Sequence, residues 1–85
     1  MKPAQHVYSR EFDKIFFPLQ PELRAQIVAR ITEMGSRLDR FPHHRLTNRS
    51  ECRLRVGDWR IIYEFDLQRN IIYLITLGHR GKIYK

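Results

Sequence analysis

The segment that constrains the fold most is Arg-Leu-Arg-Val-Gly-Asp-Trp-Arg, residues 53–60. Its alternation of apolar and charged residues is typical of β-strands with one buried face. Gly57 and Asp58 interrupt the alternation, and a two-residue loop that begins with glycine predicts a type II′ hairpin turn, because glycine adopts a positive φ without strain. The predicted strands then pair in the order Val56–Trp59, Arg55–Arg60, Leu54–Ile61 and Arg53–Ile62.

This hairpin has two chemically different faces. The apolar face is expected to lie against the core, and its members are Cys52, Leu54, Val56, Trp59, Ile61, Tyr63 and Phe65. The other face carries Arg53, Arg55 and Arg60. Because like charges directly opposite each other destabilise a sheet, the expected pair of Arg55 and Arg60 indicates an anion-binding face. The alternative is a solvated face whose arginine stems cover apolar surface.

The charge of the chain favours a polyanionic partner. The formal net charge is +7 and the pI is about 10.2. Seven arginines but only three acids lie between residues 37 and 60. Nucleic acid, the ribosome or an acidic protein would suit this balance, and a membrane surface suits it less well. The length predicts a single domain, residues 1–85, with one modest core.

Cysteine and histidine usage gives no sign of a disulfide, a metal site or a thiol nucleophile. The only cysteine, Cys52, excludes an internal disulfide and is expected to be a buried core residue in a reducing cytoplasm. His43, His44, Cys52 and His79 lack a recognisable zinc spacing, so we expect no metal and no other cofactor. The first residues lack an apolar signal region and no stretch approaches a membrane span, which predicts a cytoplasmic protein.

Helical signals occupy the first half of the chain. A short strand is expected at Gln5–Ser9, with Ser9 as the N-cap of a first helix that Pro18 limits to two or three turns. Pro21 favours the start of a second helix, and Gly35 is expected to weaken or end it. The apolar stripes of the two helices are Phe12, Ile15, Phe16 and Leu19, and then Leu23, Ile27, Ile31, Met34 and Leu38.

Strand signals dominate the second half. Residues 40–51 are predicted to be a basic loop, which carries Arg45 and Arg49. Residues 71–77 are apolar throughout, so they predict a central strand. The turn at residues 67–70 leaves its register open, because loops of four and five residues give opposite faces. The fold expected is α+β, with a helical hairpin on one face of a twisted, mainly antiparallel four-stranded sheet and a free arginine face.

The hairpin and the C-terminal motif together resemble a known family. Arg-Leu-Arg-Val-Gly-Asp-Trp-Arg-Ile-Ile-Tyr-Glu, followed later by Leu-Gly-His-Arg-Gly-Lys-Ile-Tyr, is similar to the RelE/ParE superfamily of toxins from type II toxin–antitoxin systems. The order of helices and strands matches over nearly the whole chain. Small departures are Cys52 where an aromatic is common, Trp59 where tyrosine is usual and Asn48 where the loop often has glycine.

The superfamily has two functional branches, and both kinds of toxin are neutralised by an antitoxin. RelE-like members enter the ribosomal A site and cut mRNA, whereas ParE-like members inhibit DNA gyrase and lack the catalytic residues. The resemblance implies a ribosome-dependent mRNA endonuclease in complex with a RelB-like antitoxin. A gyrase inhibitor, or a basic nucleic-acid or antitoxin-binding module without activity, is the alternative.

The resemblance also assigns candidate site residues. The RelE-type catalytic set matches Arg60, Arg80 and Tyr84, to which His79 is added because its imidazole titrates in the useful range. Candidate RNA-binding residues are Arg53, Arg55, Arg45, Arg49 and Lys82.

Each candidate residue has a distinct chemical role. Arginine cannot be the base, because its pKa is above about 12, so Arg53, Arg55 and Arg60 are expected to bind phosphate and stabilise the transition state. Tyr84 is the expected general base if nearby cations favour its phenolate. His79 or Arg80 would protonate the leaving 5′-oxygen, and the sequence does not choose between them. Such metal-free cleavage leaves a 2′,3′-cyclic phosphate and a 5′-hydroxyl.

Overall fold

A computed structural model describes residues 2–79 of this protein. These residues form two helices and one five-stranded sheet in the strand order β1-β5-β4-β3-β2, in which only the β1–β5 pair is parallel. The elements are β1 (Gln5–Tyr8), α1 (Arg10–Phe16), α2 (Pro21–Gly35), β2 (His44–Arg45), β3 (Cys52–Val56), β4 (Trp59–Asp66) and β5 (Ile71–His79). The predicted α+β architecture is confirmed.

The predicted number of strands was wrong because part of the 40–51 segment pairs with β3. His44 lies opposite Arg53, and Arg45 lies opposite Cys52. Asn48 turns the chain back with φ +60°, a conformation that asparagine tolerates better than most residues. This segment has no apolar alternation of its own, so only its contact with a neighbouring strand makes it a strand.

Local signals set the bounds of both helices. The Ser9 side chain accepts a hydrogen bond of 3.0 Å from the Phe12 N–H and caps α1, which ends just before Pro18. α2 begins at Pro21 and ends at Gly35, as predicted. The apolar residues that α2 buries against the sheet are Ile27, Ile31 and Met34. Phe12 of α1 and Leu38, in the turn after α2, are buried with them. Neither helix of residues 2–79 is long and apolar enough to cross a bilayer.

The central hairpin has the predicted register. Arg55 pairs with Arg60, and the other three predicted pairs are also present. Gly57 has φ +58°, as the first position of a type II′ turn requires. Five of the seven apolar residues are buried, and Trp59 and Phe65 are partly buried and pack against the core. Cys52 is fully buried, which confirms it as a core residue.

The register of β5 combines a four-residue loop with a bulge. Asp66 pairs with Ile71 across residues 67–70, where Asn70 has φ +57°. Ile62 pairs with Thr76 but the next residue of β4, Tyr63, pairs with Leu74, so one residue of β5 is extra. The bulge lets β5 present core residues on both sides of the irregularity, at Ile72, Leu74 and Leu77. Without the bulge, either Leu77 or the pair Ile72 and Leu74 would lie on the same face as the arginines.

Candidate anion-binding site

Arg53, Arg55 and Arg60 form a compact group, the arginine cluster, on the sheet face opposite the helices. Arg53 and Arg55 alternate along β3, and Arg60 lies directly opposite Arg55 on β4. Gly78 of β5 lies on the other side of Arg60 and has no side chain to cover it. Arg55 is exposed, and the other two are half-buried. The hairpin therefore places three guanidinium groups on neighbouring positions of one surface.

No acid neutralises this cluster within residues 2–79. The described ion pairs and hydrogen bonds join other residues, and none of them involves the three guanidinium groups. The Nε atom of Arg60 is buried and has no hydrogen-bond partner among the described residues. A buried donor without a partner costs free energy, which an anion placed at the cluster would recover.

Arginines on the helical side have the opposite environment. Glu33 accepts hydrogen bonds of 2.7 Å from Arg30 and 3.1 Å from Arg37, and these bonds lower the pKa of its carboxyl group. Both guanidinium groups also lie over the ring of Phe41, at 5.7 and 5.3 Å from its centroid. We call this group the Glu33 clamp. Its charges are paired on the protein itself.

Arg45 and Arg49 do not join the arginine cluster. Arg45 lies on the same side of the sheet as Cys52. Its guanidinium group donates a hydrogen bond of 3.0 Å to the Ser50 carbonyl, and its Cζ atom lies 5.9 Å from the centroid of the Phe65 ring. Arg49 pairs with Glu51 at 3.1 Å and lowers the pKa of that carboxyl group. The structure therefore separates these two residues from the cluster, and their predicted contact with RNA stays a prediction.

His79 lies close to the cluster along the backbone but faces the other way. It follows Gly78 on β5 and pairs with Trp59, whose ring it meets edge to face at 5.8 Å. By register its side chain leaves the sheet on the Trp59 side, opposite that of Arg60. Its side chain is exposed. Arg80, Lys82 and Tyr84 lie outside the described residues, and their roles stay predictions.

His43 has a structural environment. Its Nε2 donates to the Leu38 carbonyl at 2.8 Å, which leaves Nδ1 to accept from the Tyr63 hydroxyl at 2.6 Å. The ring also stacks on Phe65 at 3.9 Å. Burial raises the pKa of Tyr63 and of the Cys52 thiol, so neither is an activated group. Residues 2–79 contain no group of three His, Cys, Asp or Glu side chains arranged to hold a metal ion.

The open edge of β3 borders a groove that the sequence did not reveal. β2 pairs with Arg53 and Cys52 only, so β3 continues beyond it without a neighbour among the described residues. The cavity there, the edge groove, has a volume of about 360 Å³ and is lined by Arg30, Phe41, Pro42, His44, Arg53, Leu54 and Arg55. None of its lining residues is acidic. Arg30 and His44 come from distant parts of the chain, so no local spacing could have predicted this groove.

Comparison with known proteins now identifies the family. The family model for the ParE toxin of type II toxin–antitoxin systems, parDE, matches residues 3–84. The chain belongs to this family. As a ParE-family member it lies in the RelE/ParE superfamily and is a toxin of a type II toxin–antitoxin system. This confirms the predicted resemblance. No curated protein matches the sequence.

Solved structures show that this ParE-family toxin shares its fold with RelE proteins. A chain of the RelBE2 toxin–antitoxin complex from Mycobacterium tuberculosis has a TM-score of 0.76 and 18% identity, over 96% of this chain and 97% of that one. A chain of the archaeal RelE–RelB complex from Pyrococcus horikoshii has a TM-score of 0.77 and 17% identity, over 95% and 99%. The isolated E. coli RelE toxin has a TM-score of 0.76 and 12% identity, over 93% and 86%.

Proposed function

We propose that this toxin is a ribosome-dependent, metal-independent mRNA endonuclease. The observation that carries the proposal is the arginine cluster, whose three guanidinium groups have no acidic partner among the described residues. Guanidinium forks bind phosphate oxygens in pairs and stay charged at every physiological pH. A single RNA phosphate placed over Arg55 and Arg60 would offset their mutual repulsion. The activity requires the toxin to be in the cytoplasm, where ribosomes are.

The proposed reaction is attack of the ribose 2′-oxygen on the adjacent phosphorus. Tyr84 takes the 2′-hydroxyl proton as its phenolate, while Arg60 and its neighbours stabilise the charge that grows on the phosphoryl oxygens. The bond from phosphorus to the 5′-oxygen breaks, and that oxygen takes a proton from Arg80 or His79. The products are a 2′,3′-cyclic phosphate and a 5′-hydroxyl. The side chain of His79 leaves the sheet on the side opposite Arg60, which counts against His79 as the donor.

The test uses purified toxin, programmed ribosomes and EDTA. We expect cleavage of the mRNA in the A site with 2′,3′-cyclic phosphate and 5′-hydroxyl ends, detected by end-specific ligation and labelling. Removal of free divalent ions also loosens ribosomes, so the matched control contains the same EDTA neutralised with equimolar magnesium before the toxin is added. Intact mRNA under conditions in which the toxin binds the ribosome would refute the proposal.

Inhibition of DNA gyrase is a second candidate function. It is favoured by the family model, which carries the ParE name and matches residues 3–84. A short pulse of toxin expression followed by separate measurement of protein and DNA synthesis distinguishes the two. The endonuclease stops protein synthesis first, whereas a gyrase inhibitor causes DNA breaks while translation continues.

We further propose that a RelB-like antitoxin binds this toxin, because relatives of the same fold are RelE–RelB complexes. The edge groove fits an extended acidic segment of such a partner. The Glu51 carbonyl accepts from the Leu46 N–H at 2.9 Å, which shows that odd-numbered residues turn their backbone groups to this edge. Arg55 therefore offers its N–H and carbonyl to an added strand.

A strand added at this edge would alternate its side chains between the two faces of the sheet. Side chains on the helical side would meet Phe41 and Leu54, and those on the other side would meet Arg53 and Arg55. The best segment would therefore alternate apolar and acidic residues. Its affinity should fall as salt rises, and a flat salt titration would contradict the electrostatic part of this proposal.

A further inference from the structure

The arginine face changes its charge along β4. Arg60 lies at the hairpin end, while Glu64 and Asp66 lie on the same face further along the strand. The distance from Arg60 to Glu64 is four residues, or about 13 Å at the usual rise of a strand. An extended RNA strand covers this distance in a few nucleotides. Its phosphates would be attracted at the arginine end and repelled by the two carboxylates at the acidic end, so the acidic end favours an uncharged group such as a base over a phosphate.

A cavity at the acidic end has the features of a base-binding site. It has a volume of about 520 Å³ and is lined by Arg45, Ser50, Glu64, Phe65, Asp66, Leu67 and Tyr73. We call it the Glu64 cavity. It lies where β4 extends past β3, because the last pair between them is Cys52 with Tyr63. Its size and its aromatic residues suit a planar ring, since bases stack on aromatic side chains irrespective of their sequence.

The polar groups of this cavity form a pattern of donor and acceptor. The Ser50 hydroxyl donates to Glu64 Oε2 at 2.6 Å, while the Ser50 carbonyl accepts from Arg45 at 3.0 Å. Ser50 therefore holds a carboxylate and a guanidinium next to the same opening. Each carboxylate oxygen accepts more than one hydrogen bond, and a guanidinium has five N–H groups, so both keep capacity for a ligand.

Among the four RNA bases, guanine fits this pattern. Its Watson–Crick edge presents the O6 acceptor beside two donors, N1–H and the 2-amino group. Adenine, cytosine and uracil do not place an acceptor beside two donors. From this complementarity we infer that the Glu64 cavity is a guanine-specific subsite, in which Glu64 accepts from N1–H and the 2-amino group, Arg45 donates to O6 and Tyr73 stacks on the ring. The inference rests on the proposed function and adds base specificity to it.

Binding of short RNAs tests the inference without requiring cleavage. The probes are labelled pentanucleotides with 2′-O-methyl riboses, identical except for guanine, inosine or adenine at one position, which is moved along the strand. We expect guanine to bind about tenfold tighter than adenine at one position, the discrimination of one good bidentate pair. Inosine, which lacks the 2-amino group, should lie between them.

Glu64→Gln replaces half of the acceptor pair by a donor with little change of shape. It should bring the ratio of the affinity for the guanine RNA to that for the adenine RNA near one, and Arg45→Gln should lower the same ratio. Glu11→Gln is the matched control, because it removes one exposed carboxylate from α1, away from the cavity, and should keep the ratio. Arg55→Ala should weaken all three RNAs alike, since phosphate contacts carry no base information. Melting curves confirm that each variant is folded.

The outcomes separate this inference from the proposed function. If the wild type binds or cuts RNA with no guanine preference, or Glu64→Gln keeps that preference, the subsite is refuted while the endonuclease stands. If Glu64→Gln weakens antitoxin binding and leaves the preference unchanged, the cavity is a protein contact and the inference is again refuted. If the wild type neither binds nor cuts RNA, on or off the ribosome, both proposals fail.

Discussion

The arginine cluster and the Glu33 clamp use the same type of residue in one small protein, but among the described residues only the arginines of the clamp are paired with a carboxylate. In the clamp, a carboxylate accepts from both guanidinium groups and an aromatic ring lies beneath them. In the cluster, within the part of the chain that the structure describes, neither partner is present. The position of the acids, more than the number of arginines, therefore decides which arginines of this toxin keep an unpaired charge.

Removal of the predicted base should have the largest effect on cleavage, because the arginine cluster supplies charge but cannot take a proton. Tyr84→Phe removes one hydroxyl and keeps the ring. We expect single-turnover cleavage on ribosomes to fall by roughly 10² to 10⁴-fold, with ribosome affinity little changed. Near-normal cleavage would mean that a group other than Tyr84 is the base.

Charge removal in the cluster should have the next largest effect. Arg60→Gln keeps a hydrogen-bond donor but loses the charge that stabilises the phosphoryl oxygens, so we expect cleavage to fall by roughly 10² to 10³-fold. Arg37→Gln makes the same chemical change in the clamp and should leave the single-turnover rate unaltered. Equal losses in both variants would break the distinction between the two groups of arginines.

Arg55→Ala separates binding from stability. Loss of one contact to a single-strand phosphate should make the slope of log affinity for RNA against log salt concentration shallower by about 0.7. Because the variant also removes the repulsion between Arg55 and Arg60, its melting temperature should hold or rise. Arg30→Ala, the control in the clamp, should keep the slope and lose a little stability. A clear loss of stability in Arg55→Ala would show that this arginine is structural.

The smallest expected effect concerns the pH dependence of the clamp. Hydrogen bonds from Arg30 and Arg37 lower the folded-state pKa of Glu33 below its ordinary value of 4.5. The carboxylate therefore stabilises the fold above that pH, and this contribution is lost as the pH falls through the folded-state pKa. Thermal melts should show Glu33→Gln less stable than wild type near pH 6, with the difference shrinking towards pH 3. A difference that does not depend on pH would mean that the clamp acts by packing alone.

Several elements were predictable because their signals are local. Gly57 determines the hairpin turn, and this turn sets the register in which Arg55 lies opposite Arg60. Ser9 and Pro21 fixed the starts of the two helices. The cluster itself followed from alternation on either side of one glycine. In each case the determining residue lies within a few positions of the feature it determines, and the same local geometry holds in the folded protein.

Features that join distant segments could not be predicted in this way. The bulge in β5, the pairing of His44 and Arg45 with β3, and the edge groove all depend on which segments meet. The predicted contact of Arg45 and Arg49 with RNA stays a prediction, and two of their observed contacts, with Ser50 and Glu51, are local. The contact of Arg45 with the ring of Phe65 joins two separate strands, so no spacing in the sequence could have predicted it.

The sequence by itself determined the α+β class, the central hairpin, the face that carries the arginine cluster and the toxin family. These depend on periodicity, turn chemistry and a motif, all of which are properties of short stretches of chain. Tertiary structure alone decided which residues from other segments border the arginine cluster and which cavities form beside it. The pairs of Glu33 with Arg30 and Arg37 are local, because these residues lie three and four positions apart on α2. Only the folded chain brings Ser50 into contact with Glu64 and places Arg30 and Arg55 at one cavity, because these residues lie far apart along the chain.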